Sequence, residues 1–251
     1  MTGLCVIHAG FHKTGTSTIE HALMRNAGLL RPYMAVLGRP DLGAAPRLAK
    51  VYSDTRRGTH LARFQDAFAA ALPADGPVLV SCVDLIGRIP GHPNITDYRA
   101  APALLEAMAE VRPAQFAMGL RPPAEWLRSV WAQNLKVHRE VRDHTDFAAA
   151  FRPIADLEAQ LRGIEARLGE KILRLPLRAG GKHPDGPAGP LLDLFDVPDA
   201  VRKRMELQVP LKVGLPREAN AALLEINRSD LSDDDLRRTK GDALAMFKRL
   251  T

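Results

Sequence analysis

Apolar residues in this chain fall into two alternating patterns: short unbroken runs, and longer stretches with a polar face. Leu4 to Ala9 is a run containing Val and Ile that ends at Gly10, which predicts a buried parallel strand. Val78 to Val83, Gln115 to Leu120 and Lys171 to Leu175 read the same way, giving four strands. Thr16 to Arg25 places Ile19, Ala22 and Leu23 at helical spacing, with Asn26 and Gly28 as stop signals. His60 to Leu72 and Ala100 to Ala109 are further helices, and Pro122-Pro123 opens one that carries Trp126, Leu127, Val130 and Trp131. Phe147 to Leu168 predicts one helix or a pair. Arg31 to Arg57 reads as loop with a short helix from Leu42 to Val51, and Arg178 to Pro190 as an exposed loop. Helical pieces follow at Leu191 to Phe195, Val201 to Met205, Arg217 to Asn227 and Asp233 to Arg249.

Strands that alternate with helices imply an α/β fold, a parallel central sheet flanked by helices. The 251 residues suit one domain whose part beyond about residue 191 is mainly helical. In such sheets ligands bind beyond the carboxyl ends of the strands. Gly10, Asp84 and Arg121 each follow a predicted strand, so their loops are expected to converge.

Charge narrows the partners. Lys and Arg total 35 against 29 Asp and Glu, a formal +6, which favours anionic ligands. Aromatic residues are 5% and no recognition-helix, zinc-finger or base-stacking motif occurs, so a small phosphorylated ligand is expected rather than nucleic acid. Cys5 and Cys82 both lie in apolar runs, where a thiol packs as a small hydrophobe. No stretch approaches the roughly 20 apolar residues of a membrane span, and the N-terminus reaches its glycine loop too soon for a signal peptide. A cytoplasmic location is expected. Nothing in the sequence fixes the oligomeric state.

The chemistry concentrates in "HAGFHKTGTSTIEHAL", His8 to Leu23. A glycine loop entering a helix offers free N–H groups and the positive end of the helix dipole, a setting for phosphate or sulfate. Gly10 and Gly15 allow tight turns, Thr14, Thr16 and Ser17 add hydroxyl donors, and Lys13 adds a charge. A nucleotide P-loop reads G-x-x-x-x-G-K-[ST]; aligning Gly10 and Gly15 with its glycines puts Thr16 at the lysine, and the lysine stands at Lys13 instead. Asp84 is open to three readings: a magnesium-assisting acid beside ATP, a turn residue, or a base.

These residues resemble a family. "FHKTGTS" resembles the 5′-phosphosulfate loop of sulfotransferases that use 3′-phosphoadenosine 5′-phosphosulfate (PAPS), especially bacterial members with an HKTGT loop. "RPPAEWLRS" is similar to that family's 3′-phosphate signature, an arginine at a strand end and a serine eight residues on, here Arg121 and Ser129. The resemblance implies a P-loop NTPase-like sulfotransferase architecture. It also implies sulfuryl transfer from PAPS to a hydroxyl or amine of a small-molecule or carbohydrate acceptor, leaving 3′,5′-adenosine bisphosphate, with no metal. Gly10, Lys13, Thr14, Gly15, Thr16, Ser17, Arg121 and Ser129 would then bind the donor. The family's Ser-x-Glu pattern is broken, since Val83 stands at the glutamate position and Asp84 one place later. His12 and Asp84 are the candidate bases, joined as catalytic candidates by Lys13, with His8 and His138 behind them. "LKVGLPREANAALLEIN" is similar to a segment that closes over the nucleotide and would bring in Lys212 and Arg217. A phosphotransferase using ATP and magnesium, or a nucleotide-binding module without catalysis, are the alternatives.

Overall fold

The structure, a computed structural model, describes residues 3–177, 183–206 and 214–249. Five parallel strands form one sheet in the order β2-β3-β1-β4-β5: β1 Cys5–His8, β2 Ala35–Leu37, β3 Val78–Ser81, β4 Gln115–Leu120 and β5 Leu173–Pro176. β1 is central, pairing His8 with Ser81 of β3 on one side and with Ala117 of β4 on the other. Every residue of β1 and β3 is buried, as expected for strands covered on both faces. Pro176 closes β5 at the sheet edge, where its missing N–H leaves no ladder bond unmade.

The expected α/β sheet is thus present with one strand more than the four foreseen. Ala35–Leu37 lies in the stretch read as loop; three residues are too few for a period to declare itself. The same stretch holds a longer helix than expected, α3 Ala45–Thr55, after α1 Thr16–Arg25 and α2 Ala27–Leu30. α4 Gly58–Ala71, α5 Ala101–Val111 and α6 Pro123–Val137 fall where helical spacing placed them. Phe147 to Leu168 is a pair, α7 His144–Phe151 and α8 Leu157–Leu168, each capped by an aspartate that accepts from a first-turn N–H. Of the expected 178–190 loop, 178–182 lie outside the described residues. The remainder is not an open loop: Gly186–Ala188 turns into a short helix at Gly189–Leu192 whose Leu191 and Leu192 are fully buried. Beyond it all described elements are helical, including Arg217–Arg228 and Asp233–Arg249.

Two apolar clusters sandwich the sheet. One gathers Ile7, Phe11, Phe64, Phe68, Phe116 and Trp126 beneath α3 to α6 and α8, and the other gathers Val6, Ile19, Leu23, Leu79 and Leu191 beneath α1. Arg112 ties down the end of the sheet away from the loop, donating through Nη2 to the carbonyls of Gly3 at 2.8 Å and Gly76 at 2.6 Å. Cys5 and Cys82 are buried free thiols, and burial raises the pKa of both. No helix among the described residues is long and apolar enough to cross a membrane.

Candidate functional site

The chain crosses from β3, on one side of β1, to β4 on the other, and the crevice beyond their carboxyl ends is where such sheets take ligands. The loop from β1 to α1 lies there. Gly10 (φ 60°), Lys13 (φ 68°) and Gly15 (φ 92°) all adopt left-handed backbone, which an L residue such as Lys13 holds only under restraint.

The restraint comes from three donors. Thr14 Oγ1 donates to the carbonyl of Phe11 at 2.6 Å, Trp126 Nε1 to that of His12 at 2.9 Å, and Arg121 Nη1 to that of Lys13 at 3.1 Å. All peptide bonds here are trans, so the N–H following each carbonyl points the opposite way. Fixing carbonyls 11 to 13 therefore turns the N–H groups of His12, Lys13 and Thr14 away from these donors. Successive N–H groups presented in this way form an anion-binding concavity. α1 continues it, because Gly15 caps the helix with no side-chain hydrogen bond and no acid stands in the first turn.

Two glycines are required by close approach. A Cβ on Gly10 would stand 2.3 Å from Thr16 Oγ1, and one on Gly119 of β4 would stand 2.2 Å from Thr14 Oγ1. Thr16 is buried, and its Oγ1 has no hydrogen-bond partner. An unsatisfied buried hydroxyl above a glycine-lined cradle fits a bound oxyanion.

Lys13 Nζ donates to Gln133 Oε1 on α6 at 3.4 Å. Ser129, half-buried on the same helix, precedes Gln133 by one turn and so lies on the same face, toward the loop. Only Arg121 and Pro122 separate β4 from α6, which fixes Arg121 at the carboxyl end of this inner strand; its Nε lies 3.7 Å from Glu125 Oε2.

β3 ends at Ser81 rather than Val83, and a 3-10 turn, Val83–Ile86, starts directly after Cys82. This early turn lets Asp84 reach the loop, which an unbroken strand to Val83 would have prevented. Asp84 Oδ1 lies 4.0 Å from His12 Nε2, while Oδ2 is clasped by Arg39 at 2.6 Å and Lys50 at 2.8 Å. His12 is buried, its ring stacks at 6.0 Å on Tyr98, and its Nδ1 has no partner. Burial outweighs the Asp84 charge and lowers the His12 pKa to about 4.

The loops introduced by Gly10, Asp84 and Arg121 therefore meet, as strand position predicted. Arg39, Lys50, Gln133 and Tyr98 were not foreseen; they come from four separate segments and carry no motif. His8 is structural in its contacts: fully buried, with Nδ1 2.9 Å from Ser81 Oγ. His138 follows α6 and stacks edge-on against His92 at 4.6 Å, with no hydrogen bond or ring contact to the loop among the described residues. Trp126 and Trp131 are both buried, and Trp126 holds the loop as well as the core. Lys212 lies outside the described residues, and Arg217 is exposed at the start of its helix with no described contact to the site. Among the described residues no cluster of three or more His, Cys, Asp or Glu could hold a metal ion.

The chain is similar in structure to a sulfotransferase from Alicyclobacillus acidocaldarius, with a TM-score of 0.53 at 15% identity over 94% of this chain and 100% of that one. At that identity the likeness establishes the sulfotransferase fold. No protein-family model matches the chain, and no curated protein matches its sequence.

Proposed function

We propose that the protein transfers a sulfuryl group from PAPS to a hydroxyl or amine of a small-molecule or carbohydrate acceptor. The observation that carries this reading is the loop whose three successive carbonyls are pinned inward by Thr14, Trp126 and Arg121. That arrangement supports binding of the 5′-phosphosulfate by the N–H groups and hydroxyls of residues Gly10 to Ser17, with Arg121 and Ser129 toward the 3′-phosphate. The likeness to a sulfotransferase fold supports it independently.

PAPS supplies an activated sulfuryl group whose departure leaves charge on a phosphate oxygen. Preorganised donors aimed at such developing charge are the largest lever a site of this kind has. Lys13 supplies a cation, and its left-handed backbone directs the neighbouring N–H groups to the same place. Burial holds the His12 pKa at about 4, so near pH 7 it is neutral and a weak base whose uptake of the acceptor proton depends on a neighbouring negative charge. Asp84 then stabilises the imidazolium from 4.0 Å. With Arg39 and Lys50 on its other oxygen, Asp84 serves better as the orienting partner than as the base itself.

The same clasp disfavours the ATP and magnesium reading, in which Asp84 would have to turn toward a metal-bound water. Thermal unfolding separates the two. At about 100 times its dissociation constant, 3′,5′-adenosine bisphosphate should stabilise the fold by about 2.7 kcal/mol, while ATP with magnesium leaves the midpoint unchanged. Stabilisation by ATP with magnesium alone would sink the sulfotransferase reading.

A further inference from the structure

Lys240, on the Asp233–Arg249 helix, is only 5% exposed, yet no carboxylate among the described residues pairs with it. Its ammonium donates to the carbonyl of His138 at 2.6 Å. Burial and the Arg139 charge together lower its pKa to about 8. A buried cation without a counter-ion is costly, and proteins keep one where something else compensates it.

The surroundings indicate what compensates it. Lys240 lines a cavity of about 500 Å³ between the end of α6 and this helix, and Lys136, Arg139 and Arg237 line it too. Asp233 is the sole acid in the lining and is already 3.5 Å from Arg139 Nη2; Arg237 turns to Asp234 at 2.6 Å. Arg139 and Arg237 are thus each matched by an aspartate, and Lys240 is the buried cation of the lining that no described carboxylate pairs. Val137 and Leu244 supply an apolar wall, so the space suits an anionic group carried on an organic body.

We propose that this cavity binds an oxyanion, a phosphate, sulfate or carboxylate group, with Lys240 as its buried anchor and Arg139 beside it. The site is separate from the nucleotide loop but close along one helix. Gln133, which holds Lys13, and Lys136, which lines the cavity, are three residues apart on α6, about 4.5 Å of helical rise. An acidic group on the acceptor could therefore sit here while its reacting oxygen faces Lys13. This last step rests on the proposed transfer reaction; the oxyanion site itself does not.

Isothermal titration of the full chain with inorganic sulfate, in saturating 3′,5′-adenosine bisphosphate to fill the loop, tests the site. Sulfate should bind the wild type and Arg121→Ala, and binding should weaken at least tenfold in Lys240→Met and Arg139→Gln. Lys240→Met replaces the buried charge with an apolar chain of similar length, and the exposed Arg139→Gln guards against a folding defect. Equal sulfate affinity in the wild type and both cavity variants would overturn the proposal, as would loss of all sulfate binding in Arg121→Ala. Transfer assays on an acidic acceptor and its neutral counterpart identify the source of the anion. A KM raised only for the acidic acceptor in Lys240→Met assigns the cavity to the acceptor; sulfate binding lost with both KM values unchanged assigns it to a free inorganic anion. Failure of adenosine bisphosphate to bind would count against the transfer reading and leave the sulfate result standing.

Discussion

Arg121 donates to the carbonyl of Lys13 itself, yet the two residues serve different ends of the donor in the proposed reaction. Lys13 contributes its charge where the phosphate leaves, so its interaction should strengthen as the sulfur–oxygen bond breaks. Arg121 braces the Lys13 carbonyl at 3.1 Å, and in the proposed reaction its guanidinium faces a phosphate that does not react. An interaction made mainly in the transition state lowers kcat when removed, whereas one made equally in both states raises KM or Kd. Lys13→Ala should reduce kcat by a factor of about 100 or more with a small change in nucleotide Kd, taking one lost oxyanion donor as the guide. Arg121→Ala should weaken nucleotide binding by about tenfold or more, the value of one charged hydrogen bond, and alter kcat less. Steady-state kinetics beside direct nucleotide titration would check the division, and equal changes in both quantities for both variants would remove it.

At the scale of elements, the β1–loop–α1 unit was legible because its determinants are local: an apolar run, two glycines and a helical period within twenty-odd residues. The Arg121 helix was legible for the same reason, through its two prolines. Asp84 was found, but the turn that lets it reach the loop was not fixed by the sequence, because where β3 gives way depends on packing of Val83–Ile86 against α3 and not on residue type. Arg39 and Lys50 were invisible, since only the folding of β2 and α3 beside β3 brings their charges to Asp84. Gly119 was read simply as a strand residue, yet it lets β4 pass under the loop. A methyl there would press on Thr14 Oγ1, the group that fixes the Phe11 carbonyl. Gly119→Ala should therefore cost about 1–3 kcal/mol of stability, as overpacking does, and loosen nucleotide binding as the loop shifts. Chemical denaturation and nucleotide titration of this one variant would test both; tight binding with the loop's pinning lost would show that the pinned carbonyls are not what presents the N–H groups.

Across the whole molecule, the buried histidines set a pH limit on the fold. His8 and His12 both sit near pKa 4 because burial disfavours their charged forms, against 6.5 for the free side chain. Between pH 6.5 and about 4 the unfolded chain therefore takes up protons that these two positions refuse. Stability rises with pH wherever the unfolded state binds more protons, so the histidines' contribution is full above 6.5 and falls as the pH drops toward 4, by about 3 kcal/mol for each histidine at the limit. Glu165 extends the loss further down. Hydrogen bonds from Arg174 and from the N–H of Ile172 hold its pKa at about 2 against an ordinary 4.5, so its contribution is present above 4.5 and is lost between 4.5 and 2. The first loss on acidification thus belongs to the histidines and the second to the carboxylate. Urea midpoints measured from pH 7.5 to 4.5 should fall steadily below 6.5 in the wild type. In His8→Gln, which removes the titrating ring beside Ser81, the fall should be shallower by about one proton, roughly 1.4 kcal/mol per pH unit. A wild-type midpoint that stays level from pH 7.5 to 5 would mean that His8 and His12 do not resist protonation in the folded state, and the neutral His12 required for proton transfer would lose its physical basis.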